Sequence, residues 1–194
     1  MAKSNSLARS LHDAGLAAWF GGSLFGVLGL NAATADLHDP RERTRAANAA
    51  WGRWTPYNLA AIGAHLIGGL QLTRANKARI AGQQGVALTS NLKLVLTVGA
   101  LGATAYARKL GQTVMDAEAE SASTPAGELP SESATEPAAG APVAVKEAQD
   151  QLRYAQWSIP LLTGALIVLQ AVMGEQQRPA QVARGVLARF TPGR

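Results

Sequence analysis

The sequence predicts an all-α, polytopic membrane protein with four transmembrane helices in an antiparallel bundle and short interfacial helices. Four apolar stretches, at about residues 14–33, 56–72, 88–107 and 157–174, approach the roughly 20 residues that cross a bilayer. Residues 14–35 and 154–174 carry no full charge, whereas a soluble bundle would show a polar stripe every three or four residues. These observations divide the chain into residues 1–111 with three spans, residues 112–150, and residues 151–194 with the fourth.

Charge and cysteine content exclude several classes of function. The chain contains no cysteine, so disulfides, iron–sulfur clusters and thiolate chemistry are excluded. Its net charge of +5 is segregated, because residues 113–150 hold eight acidic residues and one lysine, which leaves +12 on the rest. The basic remainder flanks the spans and contains no nucleic-acid motif. It therefore indicates the lipid bilayer, with anionic headgroups, rather than nucleic acid as partner.

The first span has two interpretations. A basic start, an apolar run and Ala33-Thr34-Ala35 are compatible with a cleavable signal peptide. The apolar run is long for such a peptide and further spans follow, which favours a retained helix.

Small residues recur at four-residue spacing within the spans. Gly22 and Gly26 form a GxxxG pair, and small residues at this spacing let helix backbones approach closely in lipid. The residues expected to pack helices together are Gly22, Gly26, Ala64, Gly68, Gly99 and Ala103.

The first loop contains a candidate interfacial helix near residues 40–54. Asp39 is suited to the N-cap and Pro40 to the first helical position. Trp51 and Trp54 fall on one face and are expected, with Trp157, to anchor the protein at headgroup depth. A solvent-exposed helix is the alternative, although it would leave two tryptophans in water.

Residues 112–150 are rich in Ala, Pro, Ser and Glu and are predicted to form a disordered acidic linker. Residues 151–194 should contain the fourth span, with Pro160 in its first turns, and a basic amphipathic tail on the membrane surface. The short basic second loop and the easily translocated acidic linker favour both termini in the cytoplasm, with a multi-pass topology in a bacterial inner membrane.

Several polar residues are expected near one face of the bilayer. Antiparallel spans place Asp13, Lys93 and Gln170 at comparable depth, together with His12 and Gln71. An Asp13–Lys93 ion pair is one hypothesis, and each side chain facing headgroups alone is the other.

His65 lies deeper in the second span. An intramembrane histidine is a candidate proton relay, haem ligand or quinone partner, or else a neutral imidazole bound to a neighbouring helix. We expect no second histidine or carboxylate at matching depth, which argues against a metal or haem site. No catalytic set, phosphate loop or zinc spacing is recognisable, so the sequence predicts no enzyme activity and no cofactor.

Four segments together resemble a known type of protein. They are residues 11–31 (LHDAGLAAWFGGSLFGVLGLN), 39–58 (DPRERTRAANAAWGRWTPYN), 61–69 (AIGAHLIGG) and 157–166 (WSIPLLTGAL). The chain resembles uncharacterised small four-helix membrane proteins of high-GC Gram-positive bacteria, which implies the fold but no activity. The stretch from His12 to Gly22 also resembles the first helix of CopD-type copper-resistance proteins. Those proteins use further His and Met residues that are absent here.

Two functions remain open. The first is an accessory or scaffold subunit of an inner-membrane complex, with other membrane subunits or a second copy as partner. The alternative is a small transporter or redox- or quinone-linked protein that uses His65, with Lys93, Asp13 and Gln170 nearby.

Overall fold

Four long helical segments account for most of the structure, a computed structural model that describes residues 5–77, 81, 86–122 and 131–175. Helix α1 (Ser6–Phe25) continues through a π-helical turn (Gly26–Leu30) into α2 (Asn31–Ala35). The next helices are α3 (Pro40–Ala75), α4 (Val86–Ala122) and α5 (Val143–Glu175). A short antiparallel pair, β1 (Ser131–Ser133) and β2 (Glu136–Pro137), lies between α4 and α5 in sequence.

Three helical segments of the described chain are long and apolar enough to cross a membrane. They are Ser6–Ala35, Val86–Ser121 and Val143–Glu175, with mean hydropathies of 1.4, 1.5 and 1.7. This confirms the all-α class, and the three helices contain the spans predicted at residues 14–33, 88–107 and 157–174. Helix α3 is not among the three, because Asn58, His65 and Gln71 interrupt its apolar run.

The predicted interfacial helix near residues 40–54 is not a separate element. It forms the first half of α3, a single helix of 36 residues that also contains the predicted second span. The N-terminus is as predicted: α3 starts at Pro40, and the Arg41 N–H donates to Asp39 Oδ1 at 2.9 Å. Pro56 lies inside the helix and removes one donor without ending it. Pro160 is likewise interior, contrary to its predicted place in the first turns, because α5 begins at Val143.

The segment predicted as a disordered linker, residues 112–150, differs from that description where the structure covers it. Helix α4 continues to Ala122, the strand pair follows, and α5 begins at Val143. The strand pair makes polar contacts with the preceding helices, which offset the cost of ordering it. The Arg43 guanidinium donates to Glu132 O (3.0 Å from Nη1), and Thr44 Oγ1 lies 2.7 Å from Ser131 Oγ.

One sequence prediction lies outside the described residues. This is the basic tail, residues 176–194.

The described residues divide into two compact units. Unit 1 takes its described residues from Met1–Trp19, Ala60–Gly99 and Leu162–Arg194. Unit 2 takes its described residues from Phe20–Leu59 and Ala100–Leu161.

In unit 2, two tryptophans of α3 pack on two glycines. A Cβ built on Gly22 would lie 2.0 Å from Trp54 Cζ2, and one on Gly26 would lie 2.1 Å from Trp51 Cη2. The Trp51 indole Nε1 also donates to Asn31 Oδ1 at 3.0 Å. The GxxxG pair therefore accommodates indole rings, and Trp51 and Trp54 have a packing role that the sequence pattern did not indicate.

We expect Gly22→Ala to destabilise the protein by about 1–3 kcal/mol, because the added methyl overlaps the Trp54 ring. Gly21→Ala is the matched control, since nothing lies within 4 Å of a Cβ there. It should be neutral or stabilising by up to about 1 kcal/mol. Thermal unfolding in detergent measures both variants, and equal midpoints would contradict the packing.

Candidate functional site

In unit 1, α1 and α3 touch backbone to backbone around two histidines. A Cβ on Gly15 would lie 2.4 Å from Ala61 O and 2.6 Å from His65 N. A Cβ on Gly68 would lie 2.4 Å from Ala8 O and 2.6 Å from His12 N. Glycine is therefore needed at both positions. Gly15 of α1 faces the backbone at His65 of α3, and Gly68 of α3 faces the backbone at His12 of α1. The small-residue pattern identified Gly68 but not Gly15.

His12 and His65 form a reciprocal pair in this contact. Their rings stack with centroids 4.0 Å apart and planes inclined by 18°. His12 Nδ1 lies 2.7 Å from His65 O, and His65 Nδ1 lies 3.1 Å from His12 O. Because a carbonyl oxygen only accepts, each Nδ1 must carry a proton and donate it. The side chains are buried, with 2% and 1% of their surfaces exposed.

The remaining nitrogen of His12 joins two further helices to the pair. Its Nε2 is contacted by Lys93 Nζ from α4 and, at 3.0 Å, by Gln170 Nε2 from α5. Since Nδ1 holds the proton of a neutral imidazole, Nε2 is the acceptor, and the Lys93 and Gln170 donors share its one lone pair. One imidazole therefore connects α1, α3, α4 and α5 within unit 1.

The structure thus brings together three of the four candidate polar residues: His65, Lys93 and Gln170. The expectation that no second histidine lies beside His65 is wrong, because His12 stacks on it. Sequence reasoning placed His12 near Lys93 and Gln170 but did not include it in the site. The signal was available, since His12 precedes the first apolar run on the same side as both.

The predicted Asp13–Lys93 ion pair does not form at contact distance. Among the described residues, the ion pairs within 4.0 Å do not include these two. Neighbouring residues on a helix point about 100° apart, so Asp13 takes a different direction from His12, the residue that Lys93 contacts. Asp13 is exposed and lines the same cavity as Lys93 without touching it.

Trp19 packs against the His65 ring of the histidine pair. It is fully buried, and its ring meets the His65 ring edge-on with centroids 6.2 Å apart. The sequence predictions did not single out this tryptophan. A lone tryptophan inside an apolar run carries no signal that separates an interior ring from a lipid-facing one.

The other predicted residues take more ordinary positions. The Ala64 Cβ lies 3.2 Å from the position that a Cβ on Gly15 would occupy, and a Cβ on Gly99 would lie 3.6 Å from Leu162 Cδ1, an ordinary contact distance. Ala103 is half-buried on α4, and Trp157 of unit 2 is 40% exposed.

A half-open cavity of about 150 Å³ lies beside Lys93. Its walls come from the first turns of α1 and α4 and the last turns of α3 and α5. We call it the Lys93 cleft. Its polar lining includes Arg9, His12, Asp13, Asn76, Ser90, Lys93 and Gln170. His65 is not part of this lining.

The geometry limits the chemistry of the cluster. Both Nδ1 protons are directed at backbone carbonyls, so the hydrogen bonds between the two residues run from ring to main chain rather than from ring to ring. A carbonyl does not pass a proton on, so these contacts do not form a proton wire. Within the described residues, no group of three or more His, Cys, Asp or Glu could hold a metal ion. The cluster of His12, His65, Lys93 and Gln170 connects helices, and its one lysine lines the cleft.

Comparison of the chain with protein-family models, curated proteins and solved structures finds no match. The function is therefore inferred from the geometry of unit 1 and from the apolar helices.

We expect His12→Ala and His65→Ala each to destabilise the protein by about 2–4 kcal/mol, because each leaves buried polar groups unpaired. The double variant should lose less than the sum, with a coupling of about 1 kcal/mol or more. His38→Ala, at an exposed histidine, is the control. Unfolding in detergent gives all four values, and strict additivity of the two histidine variants would contradict the reciprocal pair.

Proposed function

We propose that this chain is a multi-pass protein of a bacterial plasma membrane in which α3 supplies a fourth, antiparallel span. A helix of 36 residues is about 54 Å long, more than the roughly 30 Å of bilayer hydrocarbon. The histidine that lowers the apolar character of α3 is 1% exposed and bonded to His12, so lipid would not contact it. The resemblance to small four-helix bacterial membrane proteins also supports this topology.

Within that topology, we propose an accessory or scaffold subunit that acts through its outward apolar faces. The observation that carries the proposal is the exposure of α4. Only 17% of the residues in an apolar stretch of 18 residues on this helix are buried inside the chain. Leu94, Val95 and Val98 all lie exposed on this helix. Such a face requires lipid or another apolar helix to cover it, and a lateral partner would use it directly.

The polar side chains of unit 1 support the same proposal. His12, His65 and Gln170 are bound to one another or to main-chain oxygens, and these bonds connect helices. His65, which the alternative function requires, is buried and does not line the cleft. Its contacts therefore favour holding α1 against α3 over handling protons or a quinone.

The test is extraction of the tagged native protein in mild detergent, followed by mass spectrometry of co-purifying chains and an absorption spectrum. We expect a second membrane protein, or a second copy, at fixed stoichiometry. A photo-crosslinking residue at Val98 should join the two chains, whereas one at Arg41, at the polar start of α3, should not. A chain that purifies alone with a bound chromophore or quinone would contradict the scaffold function and favour the alternative.

The proposed orientation gives a second expectation. Because the chain has no cysteine, single cysteines can be introduced without background. With both termini cytoplasmic, cysteines at His38 and Pro142 should react with an impermeant maleimide in intact cells, and cysteines at Asn5 and Glu175 only after lysis. All four positions are exposed. The reverse pattern would show the opposite orientation. Labelling of the cysteines at both positions 38 and 5 in intact cells would show that the first helix does not cross the membrane.

A further inference from the structure

Lys93 is a half-buried cation without an anionic partner at contact distance. Its Nζ donates to His12 Nε2, and the ion pairs of the described chain do not include it. A protonated lysine has three donors, so two remain after the bond to His12. Holding such a charge away from bulk water is unfavourable when the nearby carboxylate, Asp13, does not touch it, and an anion placed beside the lysine would offset that cost.

The Lys93 cleft is where such an anion would fit. It contains about 150 Å³, several times the roughly 10–15 Å³ that one water molecule requires, so a tetrahedral oxyanion can enter. Arg9 adds a second cation and Ser90 a hydroxyl to its lining. Asp13 is the one acidic side chain among the described residues that line it, so positive charge predominates.

The position of the cleft favours a lipid anion over a free one. Its walls come from the ends of four helices, with Arg9 near the start of α1 and Gly174 near the end of α5. Helix ends of spans lie at the depth of lipid headgroups. Leu7 and Leu88, in the same first turns of α1 and α4, are exposed apolar side chains that acyl chains would cover.

We propose that the Lys93 cleft binds the phosphate group of an anionic phospholipid. The phosphate oxygens accept hydrogen bonds from Lys93 and from neighbouring donors, and the acyl chains lie along the exposed leucines of α1 and α4. This lipid site is independent of the scaffold function proposed above, since it requires no partner protein.

The experiment measures lipid retained by the purified full-length protein, using native mass spectrometry with titrated phosphatidylglycerol. Lys93→Gln keeps a donor for His12 and removes the charge, so we expect phosphatidylglycerol affinity to fall about tenfold or more. Lys109→Gln is the matched control, because it removes an exposed lysine of the same helix outside the cleft. It should bind as the unsubstituted protein does.

A second variant guards against loss of folding in Lys93→Gln. Ser90→Asp places a carboxylate one turn from Lys93 and leaves the bond between Lys93 and His12 intact. It should abolish phosphatidylglycerol retention and raise the unfolding temperature of the lipid-free protein, because the lysine then has a counter-ion. Unchanged retention in both variants would overturn the proposal.

Two further ligands separate the possible sources of the anion. Diacylglycerol, which lacks phosphate, should not be retained, and equal retention would show that the phosphate is not recognised. Inorganic phosphate at millimolar concentration should not displace phosphatidylglycerol. Displacement would identify a free-phosphate site and overturn the lipid assignment.

Discussion

The contact of α1 with α3 at His12 and His65 is the constraint from which the arrangement of unit 1 follows. An imidazole removed from water must satisfy its N–H, and here each ring does so on the other residue's main-chain oxygen. Reaching a main-chain oxygen of a neighbouring helix requires the two backbones to approach closely. Gly15 and Gly68 permit that approach, since a side chain at either position would overlap the facing backbone.

The tautomer that this contact imposes determines what the rest of unit 1 can do. With the proton held at Nδ1, His12 presents Nε2 as an acceptor, and an acceptor in a low-dielectric region attracts the nearest donors. Lys93 and Gln170 supply them from α4 and α5. Lys93 contacts His12 rather than Asp13, and it lines the cleft. The cation in the cleft is thus a consequence of how two histidines are paired.

The sequence predicted much of the fold because long uncharged runs leave few alternatives to helices. It also predicted that Lys93 and Gln170 lie close together, and both contact His12 in the structure. Other features depended on information that chain order does not contain. The stagger of α1 against α3 brings His12 beside His65. Only side-chain contacts could show that Trp51 and Trp54 pack on Gly26 and Gly22.

The modest hydropathy of α3 has a physical explanation within this arrangement. Lipid gives little hydrophobic drive for helices to associate, so the helices must be held by close packing and by polar bonds between them. The helix that supplies those bonds carries polar residues and therefore appears less apolar in any average along its length. His65 is the case in point: it lowers the average for α3, yet it is 1% exposed and bonded to α1. Low average hydropathy in α3 is therefore what a span central to the packing would show, and this supports its proposed place as the fourth span.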